Sequence, residues 1–262
     1  MVMVSAHRGG AGERTHLENT RMAMEEALEL GVDFVEFDVQ RCGDGTFILF
    51  HDDHVVSESG AVMLSEISFA DFKKYASNFM LYDDALHLLR GKAKAHIDFK
   101  FTSPSALYAD PASTYEVKAA ERAVDIIGVD EMIVTTLEDR SVKAVRAWSK
   151  SLYPDLLVGL SLGRAGDGLS KWELIKMRLS EIFPARRMKH CDANLVVANH
   201  QLADKSLYRW ARRRGIPLLV WTVDGEGALT KWLTKDDVWL VTTNFPADAM
   251  RIRGMCDDQT RP

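Results

Sequence analysis

Cysteine, excess positive charge and long apolar runs are all scarce in this 262-residue chain, and each shortage excludes a class of protein. The three cysteines (Cys42, Cys191 and Cys256) are odd in number and widely spaced, so they indicate neither a disulfide framework nor a zinc site. A formal net charge of −5 gives no reason to expect a nucleic-acid partner. The sequence contains no run of about 18 apolar residues that could span a membrane.

The amino-terminal residues also lack the features of a secretory signal. The stretch from Met1 to Ala6 has neither a basic start nor a long apolar core. We therefore expect a cytoplasmic protein without a transmembrane segment. Hydrophobic residues make up 47% of the chain and charged residues 27%, which suits one large domain or two small ones with ample core.

The stretch Val35-Glu36-Phe37-Asp38-Val39 predicts a β-strand with two carboxylates on one face, because side chains two apart in a strand point the same way. Paired carboxylates repel each other, and their burial costs desolvation. A hard cation such as Mg²⁺ or Ca²⁺, which prefers oxygen ligands, would relieve both costs. A half-exposed strand with a hydrated acidic face is an equally good interpretation of this stretch alone.

A second candidate lies at the end of the first apolar run, where Val2 to Ala6 leads into His7-Arg8-Gly9-Gly10. An adjacent arginine disfavours the cationic form of His7, so this side chain could act as an acid or a base near neutral pH. A histidine considered alone is more often an ordinary surface residue. The glycines indicate a tight turn and not a P-loop, because no Gly-Lys-Ser/Thr follows them.

The order of elements between these two candidates predicts a parallel pair of strands. Asn19 or Thr20 is a plausible N-cap of a helix that ends at Gly31, and the acidic strand follows. Beyond an Asp-Gly turn, the apolar run 46–50 predicts a hairpin with the acidic strand. The hairpin would carry His51 back towards the first strand, with the following aspartate either orienting it or capping the loop.

In order and spacing, these motifs resemble the glycerophosphodiester phosphodiesterases. The matching residues are His7-Arg8-Gly9, Glu18-Asn19-Thr20, Glu36-Phe37-Asp38-Val39, Asp44-Gly45 and His51-Asp52. The resemblance implies a (β/α)₈ TIM barrel, a divalent metal ion and hydrolysis of glycerophosphodiesters to glycerol 3-phosphate and an alcohol. It also implies that His7 and His51 form an acid/base pair and that Glu36 and Asp38 bind the metal.

The next strand, 95–100, places His96, Asp98 and Lys100 on one face. The family has Glu-x-Lys here, so the resemblance implies that Asp98 is the third metal ligand, with one methylene fewer. It implies that Lys100, together with Arg8, binds the phosphate. Without the resemblance, Asp98 and Lys100 could be a surface ion pair.

The remaining strands and helices alternate, which predicts a closed parallel barrel with its site at the carboxyl ends of the strands. We predict one domain over residues 1–262 with a small insertion after the second strand, at about 54–93. The expected barrel strands are 2–6, 35–39, 95–100, 132–134, 156–160, 195–197, 218–223 and 238–241. The apolar side chains of the insertion either line a substrate entrance or form its own core; they are Met63, Phe69, Phe72, Tyr75, Phe79 and Met80.

Two further positions bear on function. The resemblance makes Trp221 a wall of the substrate pocket, although it could equally be barrel core. Asn244 stands where the family has Asp, which predicts a weaker contact at the closure of the barrel. The departures at Asp98 and Asn244 suggest a catalytically inactive phosphodiester-binding barrel as one alternative. A lysophospholipase D or sphingomyelinase D-like enzyme is the other.

Overall fold

Short apolar runs separated by helical segments form a closed barrel of eight parallel strands in the computed structural model. The model describes residues 1–58, 60–164, 166, 168 and 170–260, with side chains up to residue 255. In chain order the strands are β1 (Met3–Ala6), β2 (Phe34–Arg41), β3 (Phe47–Leu49), β4 (His54–Ser57), β5 (Gly60–Met63), β6 (Met80–Leu81), β7 (Lys94–Phe99), β8 (Met132–Thr136), β9 (Val158–Leu162), β10 (Leu195–Asn199), β11 (Leu218–Trp221) and β12 (Leu240–Thr243).

The barrel contains β1, β2 and β7 to β12, and it closes because β1 pairs with both β2 and β12. The helices are α1 (Arg21–Glu29), α2 (Phe69–Phe72), α3 (Tyr82–Leu89), α4 (Tyr115–Ile127), α5 (Asp139–Leu152), α6 (Lys171–Ile182), α7 (Ala185–Cys191), α8 (His200–Leu202), α9 (Tyr208–Arg212), α10 (Glu226–Leu233) and α11 (Pro246–Thr260). None of the described helices is long and apolar enough to cross a membrane. The predicted (β/α)₈ barrel is confirmed.

The inside of the barrel is apolar at one end and polar at the other. Along β2, Phe34, Glu36 and Asp38 point inward, while Val35 and Phe37 pack in the layer between barrel and helices. The amino-terminal part of the lumen is filled by an apolar cluster of Phe34, Ile133, Leu195, Val197, Leu219 and Leu240. The carboxyl ends of the strands therefore remain for polar side chains.

The insertion after β2 has its own small core. β3 pairs antiparallel with β2, as the Asp-Gly turn predicts, and β4 and β5 form a separate hairpin. The rings of Phe69, Phe72 and Phe79 lie 5.1–6.3 Å apart, so these aromatic residues form the core of the insertion. They do not line the cavity that opens at the carboxyl ends of the barrel strands.

The predicted bounds of the insertion, 54–93, need correction. Tyr82, Leu86 and Leu89 of α3 are buried in the main core, because this helix packs beside α4 on the outside of the barrel. α3 is thus the second barrel helix, and the extra layer extends from about 42 to 81.

Two barrel strands begin two residues later than expected. The carbonyl of Leu156 accepts hydrogen bonds from the side chains of Arg146 and Asn194, so the fifth barrel strand begins only at Val158. The eighth begins at Leu240, because Val238 closes a turn. Residues 171–182 form the single helix α6, and the separate helix α7 follows it. The helices α7, α10 and α11 are not predicted from the sequence.

Candidate active site

A cavity of about 400 Å³ opens at the carboxyl ends of the barrel strands. It contains seven of the eight residues that the sequence analysis assigned to the site, and the eighth, Asp38, lies fully buried beneath them. The lining residues are His7, Arg8, Glu36, His51, His96, Asp98, Lys100, Thr135, Leu137, Ser161, Gly163, Arg164, Arg178, Val197, Trp221 and Thr242.

Three carboxylates meet at the base of this cavity. Asp38 and Asp98 are directly paired across β2 and β7, and Glu36 precedes Asp38 on the same face. One oxygen of each lies within 4.8 Å of the others, and all three residues are buried. Asp98 is held by the Thr135 hydroxyl, which donates to Oδ1 at 2.6 Å.

Two cations offset this buried negative charge. The ammonium of Lys100 lies 3.0 Å from Asp38 Oδ1 and also donates to Asp98, while Arg8 Nε lies 3.0 Å from Asp38 Oδ2. Burial opposes ionisation of Asp38, but Lys100 and Arg8 outweigh it and lower the pKa of this carboxyl group. Burial, reinforced by Asp38 and Asp98, instead raises the pKa of Glu36 well above its usual value.

The donor set fits a hard divalent cation. Three carboxylate oxygens this close together form the oxygen-only donor set that Mg²⁺ and Ca²⁺ prefer. Asp38 Oδ1 is a buried oxygen without a well-formed hydrogen bond, although the ammonium of Lys100 is near, so it has capacity for a further ligand. Asp98 supplies the same type of oxygen as the family's Glu, and the structure places it beside the other two carboxylates.

The turn after β1 places Arg8 in a strained backbone conformation with φ of 50°. In this conformation the amide of Arg8 donates to Glu36 Oε2 at 2.6 Å, and its guanidinium donates to Glu18 at 2.7 Å. Gly10, with φ of 75°, is required two residues later, because a Cβ atom there would lie 2.5 Å from the Pro246 side chain. The turn thus fixes both the cation and the adjacent histidine.

His7 is the first member of a hydrogen-bonded chain that sequence reasoning did not find. Its Nδ1 lies 2.7 Å from the side-chain oxygen of Asn244, whose amide nitrogen donates to Asp224 Oδ2 at 2.8 Å. This network assigns the ring proton to Nδ1 and leaves Nε2 as an acceptor, 3.9 Å from Glu36. Burial, followed by the charge of Arg8, lowers the pKa of His7 and favours the neutral ring.

Asn244, where the sequence predicts a weaker contact at the closure of the barrel, is hydrogen-bonded through its backbone and its side chain. Its backbone amide and side-chain amide both donate to Asp224, which also accepts from the Thr243 hydroxyl. Asp224 thus places a carboxylate beside Asn244. The sequence signal for Asp224 is its place just beyond the carboxyl end of β11, which corresponds to the place of His7 just beyond β1.

His51 lies at the more exposed rim of the cavity, where the antiparallel β3 carries it back over the barrel as predicted. Its Nδ1 is 2.7 Å from Asp52 Oδ1, so the adjacent aspartate orients the ring. His54 makes a similar bond to Asp53 but does not line the cavity.

Two other interactions support the carboxylates. Asn19, one of the two expected N-caps, has φ of 59° and hydrogen-bonds to Asp38 with both amide atoms, while Thr20 caps the helix. His96 is buried between the hydroxyls of Ser5 and Thr135, and burial lowers its pKa to about 3, so it is neutral.

The described residues include five buried side-chain nitrogen or oxygen atoms without a hydrogen-bond partner, and four of them lie at this site. Two of the four, Arg8 Nε and Asp38 Oδ1, each lie 3.0 Å from an oppositely charged partner. The other two are Trp221 Nε1 and Thr242 Oγ1, and because buried polar atoms are normally paired, they indicate a place for a polar ligand. Trp221, which the sequence left open as pocket wall or core, lines the cavity.

The fold and the site together define a (β/α)₈-barrel protein with a buried acidic centre and two histidines at the carboxyl ends of its strands. The model of the glycerophosphoryl diester phosphodiesterase family matches residues 7–248, and the chain belongs to this family.

Solved structures share the fold at low sequence identity. A glycerophosphodiester phosphodiesterase from Parabacteroides distasonis superposes with a TM-score of 0.74 at 16% identity, over 98% of each chain. A phosphodiesterase from Oleispira antarctica, in complex with its product sn-glycerol-3-phosphate, superposes with a TM-score of 0.67 at 18% identity, over 97% of this chain and 96% of that one.

The curated relatives match a shorter segment. Lysophospholipase D GDPD3 of Mus musculus is 31% identical over 100 residues, which cover 38% of this chain and 30% of the mouse protein. Lysophospholipase D GDPD3 of Homo sapiens is 32% identical over 91 residues, 34% of this chain and 28% of the human protein.

Proposed function

We propose that the protein hydrolyses glycerophosphodiesters to glycerol 3-phosphate and an alcohol. The observation that carries this proposal is the meeting of two histidines and three carboxylates in one cavity of a family member. A protein that only bound phosphodiesters would need the cations but not a second histidine at the rim. The second histidine therefore favours an enzyme over an inactive barrel.

Glu36, Asp38 and Asp98 would hold a divalent cation, Mg²⁺ or Ca²⁺, since all three supply carboxylate oxygens. When bound, such a cation supplies polarisation of a phosphoryl oxygen and neutralisation of its charge. Lys100 and Arg8 belong to the same charge cluster, so their interactions with the carboxylates would have to rearrange as substrate and cation bind.

Two histidines would carry out the two proton transfers of the reaction. His7 is the base: it is buried, its neutral form is favoured, and Asn244 holds the proton on Nδ1 so that Nε2 can accept one. His51 is the acid: it lies at the open rim, where an alcohol would depart, and Asp52 holds its Nδ1. The nucleophile is water or the neighbouring hydroxyl of the glycerol headgroup; in the second case the alcohol leaves from a cyclic phosphate, which water must then open to give glycerol 3-phosphate.

The phosphate would be bound by hydrogen-bond donors of residues that line the cavity. Lys100 and the Arg8 guanidinium are cations that bond phosphoryl oxygens strongly. Trp221, which lines the cavity, has a buried Nε1 donor without a hydrogen-bond partner, and this N–H would be available to an oxygen of phosphate or glycerol. These donors favour a compact, polar substrate.

The experiment is a turnover assay with a panel of soluble glycerophosphodiesters, each with Mg²⁺, with Ca²⁺ and with excess EDTA. We expect release of glycerol 3-phosphate that chelation abolishes and a divalent cation restores. Tight binding without turnover, under every metal condition, would assign the protein to the inactive class. Full activity in EDTA, with metal content shown to be nil, would contradict the role given to the carboxylates.

A lysophospholipase D activity is the second candidate, because curated relatives carry that name. The described residues of the insertion provide no apolar channel for an acyl chain, since the aromatic side chains among them pack against one another. We therefore expect glycerophosphocholine to be cleaved faster than lysophosphatidylcholine. A marked preference for the acylated substrate would move the assignment to the second candidate.

A further inference from the structure

Helix α6 and the residue that follows it expose four large apolar side chains along one face. The exposed fractions are 73% for Trp172, 47% for Ile175, 51% for Leu179 and 70% for Phe183. Their spacing of three, four and four residues places them in one stripe along the helix. Single exposed apolar residues are ordinary, but a continuous stripe marks a surface that contacts something apolar.

The opposite face of α6 is the one that packs on the barrel. Met177 and Glu181 line a polar cavity beside the active site, and Arg178 lines the active-site cavity itself. Glu181, which is buried, accepts hydrogen bonds from the amides of Gly163 and Arg164. The helix is therefore anchored at the mouth of the barrel by one face, and the stripe is the face directed away.

Positive charge surrounds this stripe in a chain whose net charge is −5. Residues 170–190 carry six cations and two carboxylates, a formal charge of +4. Lys171, Lys176, Arg186 and Lys189 are exposed. An apolar stripe of Trp, Phe, Ile and Leu bordered by Lys and Arg is typical of helices that lie in a membrane interface.

We propose that α6 is a docking surface for an anionic lipid membrane, with Trp172, Ile175, Leu179 and Phe183 entering the interface. The exposed Lys171, Lys176, Arg186 and Lys189 would contact the lipid headgroups, while the acidic remainder of the chain would be repelled and would orient the barrel. A second copy of the chain is a poorer occupant, because lysine is depleted in protein–protein interfaces. Docking through α6 would bring the active-site mouth close to the membrane.

The test is co-sedimentation of the full chain with vesicles of phosphatidylcholine alone and of phosphatidylcholine mixed equally with phosphatidylglycerol. We expect binding to the anionic vesicles that high salt weakens. The double variant Trp172→Ser/Phe183→Ser should bind at least about tenfold more weakly, because two large apolar side chains leave the interface. Lys171→Gln and Lys176→Gln should each lower binding by about fivefold.

Leu152→Ser is the matched control. Leu152 is also exposed, at 61%, but it ends α5 and so lies at the opposite end of the barrel from the active site. This variant should bind vesicles like the wild type. Circular dichroism and turnover of a soluble glycerophosphodiester should be the same for the control, the double variant and the wild type.

Three results would overturn the proposal: no binding to anionic vesicles, equal binding by the double variant, or equal loss in the control. A dimer that the double variant dissociates, without vesicle binding, would assign the stripe to a second copy instead. The vesicle assay requires no turnover, so its outcome is independent of the reaction proposed above.

Discussion

Replacement of Lys100 by Met should destabilise the protein strongly, because it leaves buried carboxylates without their nearest cation. The ammonium of Lys100 lies 3.0 Å from Asp38, which is fully buried, and also contacts Asp98. Removing one partner of a buried ion pair costs about 3–5 kcal/mol. Met retains most of the apolar stem of Lys, so the decrease in the free energy of unfolding measures the effect of removing the charge.

The assay is urea denaturation at pH 7 in EDTA, with Lys94→Met as the control. Lys94 begins the same strand but is only half-buried; its ammonium donates to the carbonyl of Asp130 and lies 3.9 Å from Glu131. Its replacement should cost less than about 1 kcal/mol. Equal free energies of unfolding for Lys100→Met and wild type, or equal losses in both variants, would refute the charge balance described for this site.

The difference in free energy of unfolding between wild type and Lys100→Met should also depend on pH. Lys100 and Arg8 lower the pKa of Asp38 in the folded state, so their stabilisation is complete above the unfolded pKa of about 3.9. It is lost as the pH falls below that value towards the folded pKa. The difference between wild type and Lys100→Met should therefore be largest near neutral pH and shrink in acid. A difference that grows in acid would contradict the ion-pair explanation.

Three further predictions concern single positions. Asn244→Ala removes the acceptor for His7 Nδ1, so kcat should fall about ten- to hundredfold with little change in KM. An unchanged kcat would show that Asn244 does not position His7. Asp98→Ala should weaken divalent-cation binding measured by calorimetry, whereas Asp98→Glu should retain it; equal affinities in both would remove Asp98 from the donor set. Gly10→Ala should lower the free energy of unfolding by at least about 2 kcal/mol, because the new side chain has a positive φ and clashes with Pro246. Gly91 also has a positive φ but lies in open space, so Gly91→Ala should cost less, and equal losses in the two variants would exclude the clash.

The sequence allowed the barrel and most of its site to be predicted because both depend on local patterns. The alternation along β2 placed Glu36 and Asp38 on one face, and the Asp-Gly turn returned His51 to the same end. The parallel order of the strands then placed these groups at one rim of the barrel.

What the sequence did not reveal depends on pairings between distant segments. Asp224 meets Asn244 only because β11 and β12 are neighbours in the closed barrel, and Asn244 meets His7 only because β12 closes onto β1. Asn19 was considered as an N-cap, but its positive φ turns its amide towards Asp38. The bounds of the insertion were wrong because the pattern of α3 fits a local core as well as a barrel helix.

The measurement that tests the proposed function most directly is release of glycerol 3-phosphate from glycerophosphocholine by the wild type, His51→Ala and His54→Ala. Both histidines are about equally exposed and each bonds a neighbouring aspartate, but only His51 lines the cavity. We predict a metal-dependent wild-type rate, a loss of about 10²–10⁴-fold for His51→Ala and a nearly unchanged rate for His54→Ala. Divalent-cation binding should be the same in all three. The absence of wild-type turnover with any divalent cation, or equal rates for the two variants, would contradict the proposed active site.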